Sequence, residues 1–244
     1  MHPLLFKIGP FSFFSCGLMV ALGVLSGIVL AYFIAKKVNI NPEKIFDVGL
    51  FVLVGSIIGA RIFYVIFYFR ELKSPLDIFM IWNGGLVFHG GLIFAIIAIY
   101  LACRLFNIPL LNMLDVAAPA TALGYAFGRI GCFLNGCCYG IECSLPWALH
   151  FPNIPGLRHP TQVYAAIAAI IMFSILLYVF YNRRFPGQVF ALGISLYSIY
   201  RFNNEFLRIN PKVVFGLSEA QIISVLLLIA GITLYAIFSK RQRP

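Results

Sequence analysis

The chain has 244 residues, of which 61% are hydrophobic, 16% aromatic and only 11% charged, and its formal net charge is +10. A soluble domain is about half apolar and roughly one quarter charged, so this chain has too little polar surface to cover a water-soluble fold. The composition also excludes disordered, collagen-like and disulfide-framework proteins, which carry fewer aliphatic and aromatic residues. We therefore expect a membrane protein with roughly six to eight transmembrane helices, at about 20 residues per crossing.

Seven apolar runs follow one another along the chain. They predict an all-α, polytopic membrane protein with about seven transmembrane helices in a single integral membrane domain, residues 1–244. The fourth run is the least apolar by our reading, since it carries Asp115, Pro119, Gly124 and Gly128. The runs are Phe13–Ala35, Phe46–Phe69, Leu86–Leu105, Leu110–Ile130, Gln162–Tyr181, Val189–Leu207 and Ala220–Phe238.

Basic residues in the connections predict the orientation and account for the net charge, so we expect no nucleic-acid partner. Lys and Arg concentrate on the cytoplasmic side of membrane proteins. One set of alternate connections holds nine: Lys36, Lys37, Lys44, Arg104, Arg183, Arg184, Lys240, Arg241 and Arg243. The other set holds six: Lys7, Arg70, Lys73, Arg158, Arg208 and Lys212. We therefore expect the N-terminus outside and the C-terminus in the cytoplasm.

A few ionisable residues fall within the apolar runs, where a charge costs about 2.5–3.5 kcal/mol even on insertion scales. Positions near helix ends explain Asp47 and Asp115. Arg61 and Arg201 have apolar residues on both sides, which favours a functional role over a structural ion pair. On the predicted topology, four helices bring polar groups to one depth, which predicts a site facing the outer leaflet. These groups are Arg61, His89, Arg129, Arg201 and Glu205.

The sixth run carries a polar stripe, because Tyr197, Arg201, Glu205 and Arg208 recur at helical spacing. Asn204 flanks the same face. Glu205 is expected to pair with Arg201 or Arg208. The stripe indicates either an internal salt bridge or a face that binds a ligand.

Within residues 82–91, W-N-G-G-L-V-F-H-G-G, two glycine pairs bracket an apolar turn that ends in His89. Glycines in a membrane span allow close helix approach or an irregular backbone that lines a cavity. Histidine as a residue type is the default proton acceptor near neutral pH, so His89 is the natural candidate in such a pocket. The alternative is a hydrogen-bonded packing residue.

Residues 128–140, G-R-I-G-C-F-L-N-G-C-C-Y-G, are read as leaving the fourth helix on the outer side. A flexible stretch with Arg129 beside glycines suits an oxyanion, because a guanidinium forks onto two oxygens. The connection 131–161 is the longest, and we interpret it as an outer-side cap between helices four and five. It returns to the next helix through His159 and Gln162.

Four of the six cysteines, Cys132, Cys137, Cys138 and Cys143, lie within twelve residues. They are compatible with structural thiols, disulfides, a thiol relay or zinc. Adjacent Cys137 and Cys138 make an awkward disulfide arrangement. The spacing C-x4-C-C-x4-C matches no usual zinc pair, so structural thiols are the first expectation.

These residues resemble the prolipoprotein diacylglyceryl transferase family, whose signature reads G-R-x-[GA]-N-F-x-N-x-E-x-x-G. The resemblance extends to residues 59–64, 88–92, 159–164 and 197–208 and implies seven helices with the N-terminus outside. Signature positions that match in register are Gly128, Arg129, Gly131, Phe133, Asn135 and Gly140.

The resemblance implies transfer of the sn-1,2-diacylglyceryl group from phosphatidylglycerol to the lipobox cysteine thiol of preprolipoproteins. The thioether product requires cations at the departing phosphate and a base for the thiol. It implies a catalytic set, His89, Arg129, Arg201 and Glu205. The substrate-binding set is Arg61, Gly90, Gly91, Asn135, Tyr197, Arg208, His159 and Gln162.

No metal or cofactor is expected, and the expected location is the bacterial cytoplasmic (inner) membrane with the site toward the outer leaflet. Besides phosphatidylglycerol and the preprolipoprotein, membrane lipid is the only expected partner. The sequence departs from the family at Cys132 and Cys137, where Asn and Glu are common, and at Cys16, where Tyr is common. A divergent member with another acceptor therefore stays open.

A membrane thiol oxidoreductase using the cysteine cluster is the other alternative. In that case, replacing all four clustered cysteines abolishes activity, whereas a transferase is expected to tolerate it. A transporter is disfavoured, because few polar groups continue toward the inner face beyond Asp47 and Asp115.

Overall fold

The computed structural model describes residues 1–8, 11–72, 74–81, 84–152 and 154–241. Lys73, Trp82, Asn83 and Arg243, which entered the sequence predictions, lie outside these ranges. Over the described ranges the chain forms seven α-helices and three short β-hairpins. The helices are α1 (Ser15–Ala35), α2 (Glu43–Phe67), α3 (Phe88–Leu105), α4 (Leu110–Asn135), α5 (Thr161–Tyr181), α6 (Gln188–Glu205) and α7 (Glu219–Lys240).

The hairpins are small and lie in the connections. In each of them two neighbouring strands pair in antiparallel fashion. They leave the all-α fold class intact. The strands are β1 (Leu4–Ile8) with β2 (Phe11–Phe14), β3 (Leu149–His150) with β4 (Leu157–Arg158), and β5 (Lys212–Val214) with β6 (Leu217–Ser218).

Six helices are long and apolar enough to cross a membrane, namely α1 to α5 and α7. Apolar side chains such as Ile66, Leu105 and Leu226 are exposed along them, as expected for surfaces that contact lipid. The protein is therefore a multi-pass membrane protein. The predicted sixth span, α6, falls outside this set because it carries the polar stripe and is less apolar; its length of 18 residues equals that of α3. The expectation that the fourth run is the least apolar is wrong for this reason.

The chain divides into two compact units. The first comprises Met1–Ala31 and Leu114–Pro244. Within it α6 packs against α5 and α7. Ala126 of α4 and Ala169 and Met172 of α5 form a buried cluster, and tyrosines of α4 and α6 pack against it.

Asp115 fixes the start of α6 in the first unit. Its carboxylate is fully buried. It accepts hydrogen bonds from the backbone N–H groups of Gly187 at 2.8 Å and Phe190 at 3.0 Å, and it pairs with Arg183 at 2.7 Å. A carboxylate at a helix N-terminus satisfies unpaired N–H groups and complements the helix dipole. Asp115 is thus a helix cap.

The second unit, Tyr32–Met113, is built on the pairing of α2 with α3. The two helices cross where Gly59 meets Gly90. A Cβ on Gly90 would lie 2.4 Å from the Gly59 carbonyl oxygen, and one on Gly59 would lie 2.3 Å from the Phe94 Cβ. Only glycine allows this approach, which confirms the close-packing alternative for the second glycine pair, Gly90 and Gly91. Gly84 and Gly85 of the first pair lie before α3 and have left-handed φ angles of 85° and 77°.

Candidate active site

Arg129 lies on α4, one turn after Tyr125. Its guanidinium carbon is 4.7 Å from the centre of the Tyr125 ring, and that ring meets Tyr197 and Tyr200 of α6 edge-on, at 5.8 and 6.4 Å between centroids. Such a cation–π contact holds the guanidinium without neutralising it. The ion pairs found over the described ranges use other arginines, Arg183 and Arg201. Arg129 therefore has no carboxylate partner there, and its charge is available to an anion.

Arg129 lies within the fourth helix, as predicted, but the expectation of a flexible stretch around it is wrong. α4 continues to Asn135, so Arg129 lies on regular helix and the connection to α5 begins at residue 136 rather than 131. Asn135 is the exposed last residue of the helix. The helix continues because its glycines pack closely: a Cβ on Gly131 would lie 3.3 Å from the Cys16 Cα at the start of α1. The signature thus presents its arginine from a rigid element.

Glu205 organises the end of α6. Its carboxylate, 4% exposed, pairs with Arg201 one turn earlier, which confirms the predicted ion pair. The other carboxylate oxygen accepts hydrogen bonds from Asn210 and from the Ser218 hydroxyl at 2.9 Å. Ser218 also caps α7, with its hydroxyl accepting from the Gln221 N–H. Glu205 is satisfied from several sides, so it holds Arg201 in one orientation.

Arg208 lies beyond the end of α6 and is not part of the predicted helical stripe. Its backbone forms a bridge with Gly140, and the Ile141 N–H donates to the Leu207 carbonyl at 2.9 Å. Gly140 is closely surrounded, since a Cβ there would lie 2.4 Å from the Leu207 carbonyl oxygen. The last signature glycine therefore ties the connection after α4 to the end of α6.

His159 closes the other side of this connection. Its backbone accepts from the Gly140 N–H at 2.9 Å and donates to the Ile141 carbonyl at 3.1 Å. Its Nδ1 lies 3.2 Å from the Tyr164 hydroxyl, which accepts a 2.7 Å hydrogen bond from the Trp147 indole. His159 thus helps to hold the cap in place.

The first turn of α5 fixes the cysteine turn. The buried Thr161 hydroxyl donates to the Cys138 carbonyl at 2.7 Å, and the Gln162 amide, 1% exposed, donates to the Cys137 carbonyl. Gln162 is committed to this backbone contact. Its structural partner is a cysteine carbonyl that the sequence did not identify.

The thiols of Cys137 and Cys138 have opposite electrostatic environments. Burial raises the pKa of Cys137 above its ordinary value. The hydrogen bond with the Cys132 thiol lowers the pKa of Cys138 to about 5, against the effect of burial, with help from the Cys137 thiol and the positive charges of Arg208 and Arg129. All six cysteines are free thiols.

In the second unit, Arg61 is 8% exposed and directs all five of its N–H donors to backbone carbonyls. These bonds fix the loop between α2 and α3. The acceptors are Ile78 at 3.0 Å, Gly84 at 2.6 Å, Gly85 at 2.9 Å, Met80 at 3.3 Å and Asp77. Arg61 has no N–H left to bind a phosphate in this arrangement.

His89 follows that loop directly. It is the exposed second residue of α3, and the Val87 N–H before it donates to the Ala60 carbonyl at 3.0 Å. Gly90 and Gly91 both pack against α2, where a Cβ on Gly91 would lie 3.2 Å from the Ser56 carbonyl oxygen. Arg61, the carbonyl acceptors that it contacts and His89 thus belong to one unit.

The predicted site residues are divided between the two units. The first unit holds Arg129, Tyr197, Arg201, Glu205 and the connection between α4 and α5. The second unit holds Arg61, His89, Gly90 and Gly91. The predicted common depth of the two sets stays a prediction. Sequence reasoning missed Tyr125, although it precedes Arg129 by one turn. It also missed the partners Tyr200, Thr161, Asn210 and Ser218, of which the last was readable as a capping box with Gln221.

This fold and these groups define a class of protein, a polytopic membrane protein. One of its units holds an arginine without a carboxylate partner over the described ranges, an Arg–Glu ion pair and a cluster of thiols. Such an arrangement suits an enzyme that acts on charged lipids. The sequence matches the family model described as prolipoprotein diacylglyceryl transferase over residues 3–237. The chain belongs to that family and is a transferase.

Relatives from several bacteria agree with this family assignment. A Finegoldia magna protein named phosphatidylglycerol–prolipoprotein diacylglyceryl transferase is 39% identical over 231 residues, covering 92% of this chain and 91% of that protein. A Clostridium tetani protein of the same name is 35% identical and covers 100% of both chains. One from Chromohalobacter salexigens is 35% identical, covering 99% and 94%.

Proposed function

We propose that the protein transfers the sn-1,2-diacylglyceryl group of phosphatidylglycerol to the thiol of a lipobox cysteine in a preprolipoprotein. The products are a thioether and glycerol phosphate. The reaction takes place at the outer leaflet of the bacterial cytoplasmic membrane. Family membership supports the reaction, and the observation that carries the site is the Arg129 guanidinium, held over the Tyr125 ring of α4 without a carboxylate partner over the described ranges.

The bond that breaks joins the glycerol carbon to the phosphate oxygen, so negative charge increases on the departing phosphate. Fixed cations at that phosphate lower the barrier, because they are already oriented when the charge develops. Arg129 has the required free charge. Arg201 supplies a second cation, which Glu205 orients through their ion pair. Tyr197, Asn135 and Arg208 belong to the proposed substrate-binding set.

The acceptor thiol must lose its proton to become a nucleophile. His89 is the proposed base, because histidine is the commonest general base and this side chain is exposed at the start of α3. Arg61 acts in this proposal through the loop that it fixes ahead of His89, and Gly90 and Gly91 act through the packing of α3 on α2. His159 and Gln162 act through the connection that they hold.

The direct test uses the purified protein in detergent with phosphatidylglycerol and a synthetic lipobox peptide. We expect a peptide carrying one diacylglyceryl thioether, with one glycerol phosphate released per peptide, measured by mass spectrometry. A peptide with serine in place of cysteine, and phosphatidylethanolamine as donor, are the controls. Folded protein that forms no thioether would overturn the proposal.

Replacing His89 tests the base. We expect His89→Gln to lower the transfer rate by about 10²-fold, since general base catalysis contributes about 10² to 10⁴. The matched control is His150→Gln, an exposed histidine of the cap that we expect to leave the rate unchanged. Equal rates in both variants would remove His89 from the mechanism.

The membrane side is tested by labelling introduced thiols in intact cells with a membrane-impermeant maleimide. Ser144→Cys, exposed in the cap, should gain label from outside, and Lys36→Cys, exposed after α1, should gain it only after lysis. The reverse result would contradict an outer-leaflet site.

A further inference from the structure

Three thiols meet at the end of α4. The Sγ atoms of Cys132, Cys137 and Cys138 all lie within 4.8 Å of one another. Over the described ranges, no further Cys, His, Asp or Glu joins this group. Cys143, which is nearby in sequence, is not a member. We call these three residues the thiol triad.

The backbone turn after α4 produces the triad. The Gly136 N–H donates to the Phe133 carbonyl at 3.0 Å and the Cys137 N–H donates to the Cys132 carbonyl at 3.2 Å, so the chain folds back onto its own helix. Gly136 and Cys138 both have left-handed φ angles, 73° and 64°. That conformation is uncommon for a residue with a side chain, so the surroundings must impose it on Cys138.

The first turn of α5 imposes that conformation. Thr161 and Gln162, both buried, donate to the carbonyls of Cys138 and Cys137. Groups that fix the ligand-bearing backbone are typical of metal sites, where they orient the ligands before the ion binds. The thiols themselves are only partly buried, so they are open to a further molecule.

We propose that the thiol triad binds one Zn²⁺ ion and leaves its fourth position to the acceptor thiol of the transfer reaction. This proposal rests on the proposed function. Zinc takes four ligands in tetrahedral geometry, and a Zn–S distance of about 2.3 Å places bound sulfurs about 3.8 Å apart. The sulfurs must therefore close by at most about 1 Å. Three protein ligands with one open position is the arrangement of catalytic rather than structural zinc.

The bound ion would activate the acceptor. Coordination to the ion would lower the pKa of the acceptor thiol, so that it gives up its proton more readily to the base of the proposed function and becomes a thiolate. Its sulfur attacks the glycerol carbon beside the phosphate, the C–S bond forms and the C–O bond breaks. The electron pair of the C–O bond leaves with glycerol phosphate. Zinc keeps its oxidation state throughout, so no oxidant or reductant is required.

This proposal explains the departures from the family signature. Cys132 and Cys137 occupy the positions where the family commonly has Asn and Glu, and both belong to the triad. It also reverses two expectations from the sequence, namely that no metal takes part and that transfer tolerates loss of the clustered cysteines. The irregular spacing argued against zinc, but helix α4 and the left-handed turn bring the three sulfurs together.

The test uses the full-length protein, kept reduced in detergent and freed of metal with a chelator. Titration with Co²⁺ should give one bound ion per chain with thiolate charge-transfer absorption, which Zn²⁺ displaces. Cys137→Ser and Cys138→Ser should lose this absorption, whereas Cys143→Ser should keep it. A wild-type protein with reduced thiols and no Co²⁺ absorption, or a disulfide within the triad in protein isolated from cells, would overturn the proposal.

The fourth position is tested on the wild-type protein alone, so that misfolded variants cannot obscure the result. A lipobox peptide should change the Co²⁺ spectrum and its serine counterpart should not. Metal removal should lower the transfer rate at least about tenfold, and Zn²⁺ should restore it. Full transfer by metal-free protein would overturn the zinc site and leave the proposed function standing. Co²⁺ binding and the peptide-dependent change without any transfer would support the site and contradict the proposed function.

Discussion

Arg61 and Arg129 look alike in the sequence but differ in what their guanidinium groups contact. Each follows small residues in an apolar run and precedes an isoleucine. Arg61 is 8% exposed and donates to five backbone carbonyls of one loop. Arg129 lies on a tyrosine ring and keeps its charge without a carboxylate partner in the described parts of the chain.

The difference teaches that burial of an arginine in a membrane protein does not by itself indicate ligand binding. Carbonyl oxygens satisfy the N–H donors of Arg61 and turn the side chain into a loop anchor. A tyrosine partner satisfies the positive charge of Arg129 only weakly, so that charge stays available to an anion. The first arrangement supports structure, and the second suits transition-state stabilisation.

The largest effect is expected at Arg129. Arg129→Ala should lower the transfer rate by about 10³-fold, because removal of one electrostatic donor costs about 10² to 10³ in rate. The thermal unfolding midpoint should stay close to that of the wild type. Arg129→Lys is the matched control and should retain part of the rate, since lysine keeps the charge but not the forked geometry. A rate in Arg129→Ala equal to that of Arg129→Lys would contradict the assignment.

Replacing Arg61 should mainly lower the stability of the protein rather than its transfer rate. Arg61→Ala leaves five carbonyls without their donor, and we expect the free energy of unfolding to fall by about 3 kcal/mol. Hydrogen exchange should rise in residues 77–87. Transfer per folded molecule should fall less than in Arg129→Ala. If hydrogen exchange of the loop does not change, the anchoring role is wrong.

Replacing Asp115 should lower the stability of the protein without affecting its active site. Asp115→Asn removes the ion pair with Arg183 and weakens the cap of α6, so the free energy of unfolding should fall by about 2 kcal/mol. Asp47→Asn, at an exposed position of α2, is the control with no expected change. Transfer per folded molecule should stay at the wild-type level, and a loss comparable to that of Arg129→Ala would refute this division.

Of these four replacements, the one at Glu205 should show the smallest effect in free energy. Glu205→Gln keeps hydrogen bonds with Asn210 and Ser218 but loses the charge that orients Arg201. We expect transfer to fall about tenfold, equal to about 1.4 kcal/mol. Glu219→Gln, an exposed residue in the first turn of α7, serves as the control. An unchanged rate in Glu205→Gln would show that Arg201 does not depend on this carboxylate.

Much of the fold was predictable, because apolar length and composition determine which segments can cross a bilayer. The predicted runs agree with α1 to α5 and α7 to within a few residues at most ends. The C-terminal end of α4 was predicted too early, at Ile130, because the glycines there were taken to indicate a flexible stretch. Gly131 instead lies within the helix and packs closely against α1. The sequence predicted α6 as a membrane span, but α6 is not among the six helices that are long and apolar enough to cross. Its polar residues contact partners on other segments, and only the folded structure reveals these partners.

The site was predictable in its residue types and less so in its contacts. The Arg201–Glu205 pair followed from helical spacing. The carbonyl acceptors of Arg61 could not be predicted, because every residue has a backbone carbonyl and the residue type does not indicate which one accepts a hydrogen bond. The thiol triad also depends on a left-handed turn and on two donors from α5, which are distant in sequence from Cys132.

The most direct test of the central claim is the rate of thioether formation from phosphatidylglycerol and a lipobox peptide, compared per folded molecule between the wild type, Arg129→Ala and Arg61→Ala. We expect the wild type to form the thioether, Arg129→Ala to lose nearly all of the rate, and folded Arg61→Ala to retain much more of it. Absence of the thioether in the wild type, or a greater loss in folded Arg61→Ala than in Arg129→Ala, would contradict the account.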